Sequence, residues 1–146
     1  MSYTTEAEQY ILCDERILIQ LSADDVQATE PDYDILAESR AYADAQIDAR
    51  LRQRYALPLA SVPREIKDWS LALSRLWLYR RRPEGQELPP AVVSAAQEAM
   101  AALDAVRDGK LSLDLPAPNE GTTAAGGRFQ VTAPARLFTT DKLASY

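Results

Sequence analysis

The spacing of proline and glycine limits this chain to a small set of folds. Neither residue occurs between Asp32 and Tyr55, between Glu65 and Arg82, or between Ala91 and Asp108. Pro31, then Pro58 and Pro63, then Pro83, Pro89 and Pro90, and finally Gly109 bound the three clean stretches. Proline suits a helix's first turn and glycine the position after its last, so this punctuation predicts three long helices. The first has at most 24 residues, about 36 Å of helix. Leu36, Ala43, Ile47, Leu51 and Tyr55 recur on one face of it. Asp32 or Asp34 is placed to cap its start, and Arg50, Arg52 and Arg54 suit the negative end of its dipole.

The second stretch puts Ile66, Trp69, Leu73, Leu76, Trp77 and Arg80 on one side, while Leu71 and Leu78 lie off it. A helix apolar nearly all round belongs at the centre of a bundle. Pro63 falls near its first turn, and Arg80, Arg81 and Arg82 close it. The third stretch carries Val92, Ala96, Ala99, Leu103 and Val106, a small-residue face that lets a neighbouring helix come close, with Gly109 as its C-terminal cap. Ahead of these, Thr5 and Glu8 have capping-box spacing before Tyr10, Ile11 and Leu12. Asp14 can cap a second short helix bearing Ile17, Leu18 and Leu21, followed by a loop from Ser22 to Pro31. The expected fold is an all-α compact bundle of two short and three longer helices.

After Gly109 the character changes. Three of the five glycines and three of the nine prolines fall in the last 36 residues, and Pro116 to Gly127 is linker-like. Arg128 to Thr132 alternates with period two, and Pro134 limits it to an edge or an isolated strand, so the arm is expected to form a short strand or hairpin. Arg136, Leu137 and Phe138 form a second apolar cluster. So short an arm cannot bury a core of its own. The expected organisation is a helical domain over residues 1–110 and an extended docking arm over 111–146. Its contact residues would be Arg128, Phe129, Val131, Arg136, Leu137 and Phe138, because arginine and aromatic side chains dominate interface energetics.

Composition narrows the function classes. Hydrophobic residues at 47% supply a packed core. There is no histidine and one cysteine, Cys13, which removes histidine triads, Cys/His zinc sites and an intrachain disulfide. No apolar run nears the roughly 18 residues of a membrane span, and the N-terminus lacks a signal pattern, so a soluble protein made inside the cell is expected. Sixteen basic against 22 acidic residues, net −6, argue against a dedicated DNA binder, whose affinity comes from neutralising phosphates. An acidic surface still lets DNA pass without holding it.

The chemistry-bearing residues read mostly as structure. Trp69, Trp77, Tyr55 and Tyr79 at helical spacing beside leucines are core rather than a ligand cage. Cys13 lacks a histidine to activate it and reads as a small buried hydrophobe. Asp24, Asp25, Asp32 and Asp34 lack EF-hand spacing and read as caps. Arg80, Arg81 and Arg82, with Arg75, suit a helix C-terminus first and a phosphate or partner contact second. The alternating Arg50, Arg52 and Arg54 cannot share one face, which speaks against a single anion site. Gly126-Gly127 lacks the context of a phosphate loop. No nucleophile, base, metal or cofactor site is assembled, so the chain is not expected to be an enzyme.

One block is more specific. Ile47-Asp48-Ala49-Arg50-Leu51-Arg52-Gln53-Arg54-Tyr55-Ala56-Leu57-Pro58 ends a helix and runs on through Val62-Pro63 to Ile66, Leu73, Leu78-Tyr79 and Arg80. It resembles the small connector family of Mu-like bacteriophages and prophages, whose pattern is Ile-Asp-x-x-Leu-x-x-Arg-Tyr-x-Leu-Pro. Leu103, Gly109, Leu111 and Leu113 match that family's next segment, and Arg136-Leu137-Phe138-Thr139 its tail motif. Alanines around Ala96 replace an aromatic of the family pattern. The resemblance spans roughly residues 2 to 140 and implies a head–tail connector or head-completion adaptor. Such a protein sits in the virion neck as a homo-oligomeric ring, commonly twelvefold, beneath the portal. It would contact the portal protein and the next connector or tail-terminator protein, with double-stranded DNA passing through its lumen and no membrane involved. Two other classes remain open: a small phage-encoded helical regulator or chaperone-like binding protein, and an enzyme acting on nucleic acid through carboxylates and magnesium. A stable monomer or dimer would favour the regulator, and magnesium binding by a carboxylate pair the enzyme.

Overall fold

A computed structural model describes residues 2–25, 27–81 and 87–115 of the chain. Five helices follow in order: α1 (Glu6–Leu12), α2 (Glu15–Ser22), α3 (Tyr33–Leu51), α4 (Arg64–Arg80) and α5 (Pro90–Arg107). There is no strand among the described residues. The local signals behave as their chemistry requires. Thr5 and Glu8 form the reciprocal capping box of α1. Asp14 accepts from the Arg16 N–H to start α2, and Asp32 accepts from the Asp34 and Ile35 N–H groups to start α3. Pro90 occupies the first turn of α5.

The end of α5 is a Schellman turn. Gly109 has φ +78°, its N–H donates to the Val106 carbonyl, and the Lys110 N–H donates to the Ala105 carbonyl at 2.8 Å. The left-handed backbone is what favours glycine here, and the Arg54 guanidinium lies against the space beside it. The first long helix is shorter than its proline-free stretch. It stops at Leu51, and Arg54 and Tyr55 close a last turn by donating to the Leu51 carbonyl, each at 2.9 Å.

The body is a three-helix bundle with a thinner layer of α1 and α2 against α3 and α4. Asp44 on α3 meets Ser70 on α4, and Arg50 near the end of α3 meets Asp104 near the end of α5 at 3.0 Å. With its short connection to α3, α4 therefore runs antiparallel to both. The main core holds Ala43, Ile47, Leu51 and Tyr55 of the α3 region, Ile66, Leu73 and Leu76 of α4, and Val92, Ala96, Ala99, Leu103 and Val106 of α5. All five positions expected on α5 are buried, Ala96 and Ala99 to within 2%. Their small side chains let α5 lie close against its neighbours.

A second cluster joins Cys13, Leu18 and Leu21 to Leu36 and Leu78. It accounts for two side chains that one helical face could not place. Leu36 precedes the main-core face of α3 and packs on the N-terminal layer instead. Leu78, off the main face of α4, is buried on its opposite side. The central position expected for α4 is thus realised by contact with all four other helices.

The chain stays on the body past Gly109. Leu113 is buried in the main core, and its N–H donates to the Tyr55 hydroxyl at 2.9 Å. Tyr55 thereby ties the connection after α3 to the segment after α5.

Candidate assembly surface

Two kinds of contact hold the N-terminal layer on the bundle. Beside the second apolar cluster runs a buried polar seam. The Tyr3 N–H donates to Asp44 Oδ1 at 3.2 Å, the Tyr3 hydroxyl to Asp48, and Thr4 Oγ1 shares a hydrogen bond with Ser70 Oγ at 3.2 Å. Gln9, buried on the inner face of α1, donates to Ser39 Oγ at 3.2 Å and accepts from Arg40 at 2.6 Å. Lys67 reaches Glu8 at 2.7 Å. Burial raises the Asp44 carboxyl above the usual carboxylate range despite the Tyr3 N–H beside it. The hydrogen bond from Lys67 moves Glu8 the other way. The Tyr3 phenol is raised by burial and by its hydrogen bond to Asp48, and the Tyr10 phenol is pushed up to about 12, chiefly by burial and secondly by its hydrogen bond to Tyr33.

Because α1 turns polar Gln9 inward, it turns apolar residues outward. Ile11 is 84% exposed and Leu12 43% exposed. They border a depression of about 440 Å³ lined by Glu8, Ile11, Val62, Lys67 and Leu71, among others. A second depression of about 230 Å³ continues from Leu12 and Leu71 past Ala72 and Arg75 to Val92 and Ala95. Sharing Leu71 and Asp68, the two follow one groove along the outer side of α4, from its N-terminus to the start of α5, with an aliphatic floor edged by the charged Glu8, Arg64, Lys67 and Asp68. Arg75 lies at the far end, over the Tyr79 ring at 5.9 Å. Its Nε is buried without a hydrogen-bond partner among the described residues.

This groove was not among the residues singled out from sequence. A signal existed: Tyr10-Ile11-Leu12 are consecutive in a seven-residue helix, and three successive residues of a helix cannot all face one core. Leu71, off the main face of α4, was the matching half.

The structure reassigns other candidates. Arg81 donates to both carboxylate oxygens of Asp24, at 2.7 and 2.8 Å, and to the Ser22 carbonyl at 3.2 Å. It pins the α2–α3 loop, leaving Arg80 exposed as the free basic contact of that run among the described residues. Arg82, Arg128, Phe129, Val131, Arg136, Leu137 and Phe138 lie outside the described residues, as do the expected arm strand or hairpin. Arg50 turns to Asp104, Arg52 back to the Asp48 carbonyl and Arg54 toward Gly109, so they form no common anion site. Trp69 and Trp77 are half-buried in different clusters, and Trp77 pairs with the Tyr42 ring, 6.5 Å between centroids. Cys13 is buried and its thiol raised by burial. Among the described residues no group of three or more acidic or cysteine side chains is placed to hold a metal ion, and no helix is long and apolar enough to cross a membrane.

Among the described residues the body is thus a helical bundle with a groove along the outer side of α4. Over residues 3–132 the chain matches the family described as Bacteriophage Mu, Gp36. The chain belongs to this family. The match runs from the N-terminal polar seam through the bundle and into the arm as far as Thr132, and it bears out the expected kinship with Mu-like phage proteins. No curated protein matches the chain. Within this Gp36-family chain the quoted motif has plain structural work: Ile47, Leu51 and Tyr55 are core, Asp48 accepts from Tyr3, and the Leu57–Pro58 peptide is cis.

Proposed function

We propose that this phage protein is a head–tail connector of the virion: a homo-oligomeric ring beneath the portal that joins the capsid to the tail and performs no chemistry of its own. The observation that carries the reading is the groove along α4, with Ile11 and Leu12 exposed beside it. Exposed aliphatic surface of this kind marks an interaction site. Membership in a Mu phage family supplies the context. A ring needs a subunit that keeps its shape under load, and one continuous core through α3, α4 and α5 provides it. A net charge of −6 suits a lumen through which DNA slides rather than binds.

In this reading the protein is made in the bacterial host cytoplasm and ends in the neck of the particle. Its neighbours are the portal protein and the next connector or tail-terminator protein. The arm residues Arg128, Phe129, Val131, Arg136, Leu137 and Phe138 engage the portal or an adjacent subunit, and Arg80 is available for a secondary basic contact. A small phage-encoded regulator or chaperone-like binder is the alternative, because the same groove would serve a single client. Electron microscopy of intact particles decides between them. The connector reading expects density for this chain as a ring between capsid and tail, and a neck without it would overturn the proposal.

A further inference from the structure

We propose that the groove along α4 is the seat for the arm of a second copy of this chain, with Arg128–Thr132 lying extended in it. The inference rests on the ring-forming reading above and names the contact that would close the ring.

Four observations favour this occupant. The first is length. From Arg64 to Arg75 the groove follows about 17 Å of helix, and five extended residues such as 128–132 span about 17 Å. The second is pattern. Phe129 and Val131 alternate with polar neighbours, so an extended segment can turn both toward the apolar floor of Ile11, Val62, Leu71 and Ala72. The third is the Arg75 guanidinium, which lines the groove's end and whose Nε has no hydrogen-bond partner among the described residues. An extended chain has unpaired backbone carbonyls to offer it, whereas a docking helix has already used its own. The fourth is reach. Residues 116–127 extend to roughly 40 Å. Leu113 is tied to Tyr55 at the end of the bundle where α4 begins, the same end at which Val62 and Arg64 open the groove. In a ring the same linker is long enough to cross to the groove of the adjacent subunit. Groove and arm are different surfaces of one chain, so the contact is head-to-tail and closes into a ring where the rotation permits.

The test is disulfide trapping with full-length chains. Two single variants, Ile11→Cys and Phe129→Cys, are mixed under mild oxidation and run on a non-reducing gel. Cys13 is buried and its thiol raised by burial, so it stays out of the reaction. Ile11 is 84% exposed, so its replacement leaves the fold intact. The expected result is a crosslinked heterodimer in roughly tenfold excess over the pair Glu38→Cys and Phe129→Cys, because docking raises the effective thiol concentration. The double variant Ile11→Cys/Phe129→Cys should give a ladder that fades on dilution. A fast-migrating monomer that persists on dilution would show the arm on its own body and overturn the inference. Crosslinking no greater than that of the Glu38 pair would overturn it as well. Micrographs of the same sample separate the two proposals: rings without the crosslink keep the connector reading and discard this contact, while the crosslink in open filaments keeps the contact and discards the ring.

Discussion

The bundle of α3, α4 and α5 and the N-terminal layer of α1 and α2 are held by different physics. The bundle is apolar and deep: Ala43, Ile47, Leu51, Ile66, Leu103 and Val106 are fully sequestered. The layer has a smaller apolar cluster of Cys13, Leu18, Leu21, Leu36 and Leu78, and depends on directional bonds through Asp44, Ser70, Gln9 and Ser39. Apolar packing is insensitive to pH and tolerant of small shifts, while buried polar contacts are costly once misaligned. The comparison teaches where the molecule can yield. The groove lies at the seam between the two regions, so its shape depends on how firmly α1 is fastened.

Five substitutions test that contrast. Tyr55→Ala should have the largest effect, about 3–5 kcal/mol by urea denaturation, since it opens a cavity in the bundle and strands the Leu113 N–H. A loss below about 0.5 kcal/mol would mean that the Tyr55 ring is not part of the core. Leu18→Ala should cost less, about 2 kcal/mol, because a thin layer collapses around a small void more readily. If it matched Tyr55→Ala, the two regions would be one cooperative unit rather than a bundle with an attached layer.

Next comes Ser39→Ala, at about 1 kcal/mol. It removes the acceptor of Gln9, and hydrogen exchange should quicken in α1 while α5 keeps its protection. Uniform quickening would contradict the division. Smallest are the pH effects, which should have opposite signs. Asp44 is raised in the folded state, so its ionised form opposes folding above that raised value. The stability of the parent relative to Asp44→Asn should therefore rise as pH falls from neutral toward the carboxylate range. Glu8 is lowered, so the advantage of the parent over Glu8→Gln is present above the ordinary glutamate range and fades as pH drops below it. Equal slopes for both, measured by denaturation midpoints across that range, would sink the assignment of the seam as the pH-sensitive region.

Much of this was legible in advance, and the reason is locality. Caps at Thr5, Asp14, Asp32 and Gly109 act within a few residues, and the α5 face from Val92 to Val106 repeats at helical spacing; both are properties of short stretches of chain. The apolar set of α3 was legible as a list but not as an allocation. Leu36 and Ile47 share the periodicity yet enter different clusters, because only the packed neighbours decide which core a buried face meets. Arg81 read as a helix-end charge or partner contact and proved to hold the α2–α3 loop, since its partner Asp24 is 57 residues away.

The order of residues by itself determined an all-helical chain, the caps that start α1, α2 and α3 and stop α5, a net acidic composition and a kinship with Mu phage proteins, because these follow from local backbone preferences, side-chain type and motif spacing. Only the tertiary structure decided that α1 faces inward with Gln9 and outward with Ile11, that Ser70 and Ser39 are partners rather than surface hydroxyls, and that a groove opens along α4. A polar side chain is buried only where distant residues supply its hydrogen bonds, and that pairing is a property of the folded arrangement in three dimensions.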